Sequence, residues 1–235
     1  NPRVLVIALD QETNDRGLVM TSSFTNLVLA ARFAGLLDQE TRYESLCEQL
    51  SATASQFISS HISDISKIGR KEFNRAVFLG SGSRFAAARE CALKMLEMTA
   101  GRVSTMCESY LGVRHGPMSF IHKDTLMVCF LSSDPTLRAY ESDLMRELDQ
   151  KELGLLKVVI GESIPAKILR KDDLGLECNG LRQIGDENAP VIDVIAGQLL
   201  AFFRCMAEGL RPDSPSEGNV INRVVQTFAL HSPMS

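Results

Sequence analysis

Three groups of residues have types and spacings that could carry chemistry. The first is Glu90, Lys94 and Glu97. At ~100° per residue, a helix places them at roughly 0°, 40° and −20°, one narrow stripe. The rest of Arg89–Met98 is largely Cys, Ala, Leu and Met. A carboxylate set among apolar groups gains proton affinity and can serve as a general base near neutral pH. The same spacing also describes an exposed Glu-to-Lys pair of purely local value. The second group is Arg114-His115-Gly116-Pro117. Gly-Pro cannot continue a helix, so His115 is presented on a loop, where an imidazole can exchange protons near pH 7 or simply face solvent. His61 falls in a connecting helix, His122 beside Lys123 and His231 in the tail. The third group is Gly80-Ser81-Gly82-Ser83, after an apolar run and before a helical stretch. Free N–H groups at such a turn suit a phosphate; the run equally suits a plain strand-to-helix turn capped by Ser81 or Ser83. The third glycine of a dinucleotide fingerprint is replaced by Phe85, and no Gly-Lys-Ser/Thr follows, so a phosphorylated small molecule fits better than a nucleotide.

The elements that must hold these residues read as alternating strands and helices. Ala76–Leu79, Val103–Met106, Leu126–Leu131, Leu155–Ile160 and Gly175–Cys178 read as strands. Arg84–Ala100, Thr136–Lys151 and Val191–Gly209 read as the helices between and after them. Strands buried on both faces and joined by helices imply a parallel, doubly wound α/β sheet. Upstream, Val4–Leu9 reads as a further strand; Thr21, Ser22 or Ser23 can then cap a helix to about Leu37, and Asp38 or Thr41 a second to about Ile68. Gly69-Arg70-Lys71 marks a break. Residues 71–235 then form one α/β domain with a tail, and residues 1–70 read as the last strand and connecting helices of a domain that precedes it. A chain opening on a buried-strand pattern, with neither an initiator methionine nor a signal peptide, points to sequence upstream.

Composition narrows the function classes. The 235 residues include 25 Lys+Arg and 29 Asp+Glu, a net charge of −4. No basic field is present to hold a nucleic acid, and no apolar run reaches the ~18 residues of a membrane span. Cys47, Cys91, Cys107, Cys129, Cys178 and Cys205 contain no close pair. A zinc site or redox motif is therefore not expected, and reduced core cysteines fit a cytoplasmic protein.

Taken together, the motifs resemble a known family. Gly80-Ser-Gly-Ser-Arg-Phe, Arg89-Glu-Cys-Ala-Leu-Lys-Met-Leu-Glu97 and Arg114-His-Gly-Pro117 are similar to the second half of sugar isomerase (SIS) domain proteins. The AgaS type, which comprises tagatose-6-phosphate ketose/aldose isomerases and galactosamine-6-phosphate deaminases, matches best. Asp15-Arg-Gly-Leu-Val-Met-Thr-Ser-Ser23 and Asn222-Arg-Val-Val-Gln226 extend the match over nearly the whole chain. The resemblance implies a flavodoxin-like parallel sheet in three α/β/α layers, with 71–235 as a second SIS domain and 1–70 as the trailing part of a first. The family's serine/threonine phosphate loop would lie upstream.

By resemblance to the isomerase domain of glucosamine-6-phosphate synthase, Glu97 would move the proton between carbons 1 and 2. Glu90 and Lys94 would support it, and His115 would open the sugar ring from a neighbouring subunit of a homodimer. Ser81, Ser83, Asn222 and Arg223 are the implied substrate contacts; Asn222 stands where the relative has a substrate-contacting lysine. No metal or organic cofactor is implied. The expected ligand is a phosphorylated sugar or amino sugar, and no nucleic acid or membrane partner is expected. The alternatives are the plain isomerase, a sugar-phosphate-binding regulator, or a dimerisation module with an incomplete site. A regulator would be expected to carry a basic helix-turn-helix segment, which these residues lack.

Overall fold

The computed structural model describes residues 4, 6–224, 229 and 231. Five strands form one parallel sheet: β1 Arg75–Leu79, β2 Ser104–Glu108, β3 Thr125–Phe130, β4 Leu156–Gly161 and β5 Leu174–Glu177. Their order is β2-β1-β3-β4-β5, so the chain reverses direction across the sheet between β1 and β3. β1 aligns Phe78 with Cys107 of β2 and with Val128 of β3. The helices are α1 Thr21–Gly35, α2 Glu40–Gly69, α3 Ser83–Met98, α4 Tyr110–Val113, α5 Pro135–Gln150, α6 Leu181–Ile184 and α7 Pro190–Ala207. Five strands and three long helices thus lie within a residue or two of their sequence-read bounds.

Alternation along each strand sends side chains to two cores. Ala76, Phe78, Val128 and Val158 pack with α2, α3 and α7 on one face. Val77, Leu79, Met127 and Val159 pack with Tyr110 of α4 and Leu144 and Leu148 of α5 on the other. The result is the three-layer α/β/α arrangement expected. Leu50, Phe57, Ile65 and Ile68 of α2 belong to the first core. The apolar α7 is long enough to cross a membrane by composition, but most of it is buried against α2 and α3.

Glycine permits two tight approaches. A Cβ on Gly80 would lie 2.5 Å from the Arg84 carbonyl oxygen, so the turn into α3 closes only with glycine there. A Cβ on Gly197 would lie 2.2 Å from Cys91 Sγ, where α3 and α7 touch.

Val4–Leu9, expected as the last strand of a preceding domain, is not a strand among the described residues of this chain. Residues 4 and 6–9 join no sheet, and Val4 and Val6 are 61% and 78% exposed. An apolar run becomes a strand only when another strand takes its hydrogen bonds, and none of the five pairs with it. The expected cap of α1 also differs. Thr21–Ser23 lie inside the helix, and Asp15 Oδ2 accepts from the Ser22 N–H at 2.9 Å and the Ser23 N–H at 3.3 Å.

Candidate active site

The stripe on α3 forms, and it is covered. Lys94 Nζ lies 2.9 Å from Glu97 Oε2 and 3.3 Å from Glu90 Oε1. The Lys94 side chain is only 7% exposed, against 16% for Glu90 and 26% for Glu97. An exposed helix-surface pair would leave its lysine in water, so the purely local reading of this spacing does not hold. One ammonium serves two carboxylates, and Glu97 is the more open of the two acids. Helical spacing brings the three together, and α3 itself packs on α7 and β2.

The stripe lies away from the carboxyl ends of the strands, the end at which open α/β sheets bind ligands. α3 starts at the carboxyl end of β1 and runs back along the sheet. Fourteen residues separate Ser83 from Glu97, about 21 Å at 1.5 Å per residue. Glu97 therefore lies towards the amino ends of the strands, close to where β2 begins. Ser81 and Ser83 stay at the other end, and the fold does not bring them to Glu97.

At that carboxyl end, between β1 and β3, the protein supplies its own carboxylate. Asp186 accepts from the Ser132 hydroxyl and, at 3.0 Å, from the Ser133 N–H. Ser83 Oγ donates to the Asp186 carbonyl oxygen at 2.7 Å. Burial raises the nearby Glu141 carboxyl, opposed by the Ser81 hydroxyl and the Ser132 N–H. Arg84 is fully buried, donating to Asp193 Oδ2 and Oδ1 at 2.8 and 2.6 Å and to the Leu131 carbonyl oxygen. Sequence reasoning passed over this pair. Its trace was a lone aspartate in the apolar run Pro190–Gly197 and an arginine directly after Gly80–Ser83.

His115 sits after α4, at the head of the turn Gly116–Phe120, with its side chain exposed. This connection crosses the sheet face opposite α3, and among the described residues no bond joins His115 to the α3 stripe.

The tail, in contrast, returns to the α3 end of the molecule. Arg102, just beyond α3, holds both Glu217 oxygens at 2.9 Å and the Glu208 carbonyl oxygen at 2.8 Å. Arg223 Nε donates to the Asp15 carbonyl oxygen at 2.6 Å, and its guanidinium bonds Asn14 Oδ1. Asn14, Asp15, Arg16 and Arg223 line an open recess of about 390 Å³. Asn222 is exposed beside it. Residues 225–228, which include the end of the expected motif Asn222–Gln226, lie outside the described residues.

No protein-family model matches the chain. Individual proteins do match. The AgaS protein of Streptomyces coelicolor is 37% identical over 234 residues, covering 98% of this chain and 59% of its own length. The D-galactosamine-6-phosphate deaminase AgaS of Escherichia coli O157:H7 is 32% identical over 229 residues, covering 96% and 58%. The chain thus spans about three fifths of the length of the curated relatives it matches. Among solved structures, tagatose-6-phosphate ketose/aldose isomerase from Escherichia coli superposes with a TM-score of 0.77 at 29% identity, covering 93% of this chain and 58% of that one. The C-terminal domain of glucosamine-fructose-6-phosphate aminotransferase from Francisella tularensis gives 0.73 at 20% identity, covering 85% and 57%, a likeness of fold. Over nearly its whole length the chain is similar to SIS-domain proteins of the AgaS type.

Proposed function

We propose that this chain carries the proton-transfer half of a sugar-phosphate aldose–ketose isomerase that acts as an amino-sugar-phosphate deaminase. The observation that carries the reading is the covered Glu90–Lys94–Glu97 cluster, with Glu97 its more open carboxylate. The names of the relatives supply the substrate class, galactosamine 6-phosphate.

In this reading His115, contributed across a homodimer boundary, opens the sugar ring to the aldehyde. Glu97 takes the proton from carbon 2 and returns it to carbon 1, while Lys94 stabilises the negative charge that develops on oxygen. Carbon 1 becomes a hydroxymethyl group and carbon 2 an imine. Water adds to the imine, ammonia leaves, and tagatose 6-phosphate remains. Glu90 holds Lys94 in place. Arg223 and Asn222 bring the tail to the same end of the molecule. Ser83 lies about 21 Å along α3 from Glu97 within one chain. Residues 1–70 are the trailing part of a first SIS domain and 71–235 the second.

The test is ammonia and ketose release from galactosamine 6-phosphate by the longer protein that contains this chain. Glu97→Gln keeps shape and hydrogen-bonding reach, and is expected to lower turnover by ~10²–10⁴-fold. Wild-type turnover in a folded Glu97→Gln protein would remove the assignment. Interconversion of tagatose 6-phosphate with its aldose isomer, with no ammonia from any amino sugar, would favour the plain isomerase.

A further inference from the structure

A second polar cavity, of about 270 Å³, lies where α1, α2, α6 and the start of α7 meet. Arg32 and Arg42 both line it, with Gln49, Gln183, Asn188 and one acid, Glu187. Two guanidinium groups in one recess repel each other and are normally balanced by carboxylates. Here Arg42 bonds the neutral Gln39 amide oxygen at 2.9 Å, and Arg32 Nε is enclosed without a hydrogen-bond partner among the described residues. Asn188 is 4% exposed; its amide nitrogen donates to the Ile184 carbonyl oxygen at 2.7 Å, and its Oδ1 has no partner among the described residues.

We propose that this cavity binds a small phosphate-bearing ligand. A guanidinium fork matches the oxygens of a phosphoryl group, and the surrounding amides can accept and donate to hydroxyls. The volume suits a small metabolite, and no aromatic side chain lines the cavity to stack a base.

The cavity is separate from the α3 cluster. α3 and α7 run side by side in the same direction, joined near Cys91 and Gly197. Glu97 is six residues beyond Cys91, and Pro190, where α7 starts two residues after Asn188, is seven before Gly197. Thirteen helical residues correspond to roughly 20 Å, more than one sugar phosphate spans. The ligand is therefore a second molecule, distinct from the one turned over at Glu97.

Titration of the 235-residue chain with inorganic phosphate and with glycerol 3-phosphate, followed by calorimetry and by amide NMR, tests this. Saturable binding with shifts at Gln183 and Asn188 is expected, weakened by about tenfold or more in Arg32→Gln/Arg42→Gln. Tighter binding of glycerol 3-phosphate would identify an ester as the ligand; equal binding would identify free phosphate. Absence of saturable binding of either probe overturns the proposal, as does binding that the double variant leaves unchanged. The NMR arm uses the unmodified chain, so it decides the question even if the double variant fails to fold. Glu97→Gln should bind both probes as the wild type does, which separates this site from the proposed catalytic one.

Discussion

Arg84 and Asp193 join the first turns of α3 and α7 through two hydrogen bonds of 2.8 and 2.6 Å, with both side chains fully buried. Because Arg84 also donates to the Leu131 carbonyl oxygen, the pair ties both helices to the end of β3. Arg84→Met leaves a buried carboxylate without its cation and is expected to cost about 3–5 kcal/mol. Arg84→Met/Asp193→Leu removes both charges and should cost less. Urea unfolding of the two variants checks this; equal losses would show that the pair is not the cause.

A second prediction concerns acid. Burial alone would raise the Asp173 carboxyl, but the Lys157 ammonium and the N–H groups of Lys157 and Arg170 outweigh it and hold the group below its usual range. A depressed carboxyl contributes stability above its unfolded value, about 3.9, and loses that contribution as pH falls through the folded value. Stability should therefore drop on acidification below about pH 4, and Asp173→Asn should flatten this drop while lowering stability at neutral pH. Urea midpoints measured from neutral pH down to about pH 3 give the comparison.

Packing at the α3–α7 contact gives a third. Gly197→Ala places a methyl group against Cys91 Sγ and Cβ, and is expected to destabilise by about 1–3 kcal/mol. Cys91→Ala opens room for it. The double variant should lose less than the sum of the single losses, a coupling that thermal or urea unfolding will resolve.

The last prediction addresses the proposed chemistry. Lys94→Met should lower turnover of the longer protein by more than Lys94→Arg, which keeps the cation between Glu90 and Glu97. His115→Ala should hurt less when an open-chain substrate analogue is supplied, because ring opening alone would need the imidazole. Steady-state assays of both substrates read these differences directly. Equal losses with cyclic and open-chain substrates would remove His115 from ring opening.

Much of this protein follows from local pattern. The alternation of apolar runs with 3.6-period stretches determined the order of strands and helices from residue 75 onward, because side-chain direction along a strand or helix is set by the backbone period itself. The same period put Glu90, Lys94 and Glu97 on one stripe. Other features were decided only when distant segments met. Val4–Leu9 has strand composition, but among the described residues it pairs with none of the five strands, and pairing is a property of two segments. Whether Lys94 is buried depends on what packs over α3, and the spacing of its neighbours is the same in either case. Which end of the sheet holds Glu97 depends on the length and direction of α3 relative to β1. Arg84 and Asp193 are 109 positions apart, and their pairing exists only because α3 and α7 lie side by side. Sequence periodicity determined which residues share a face; tertiary packing decided what each face meets.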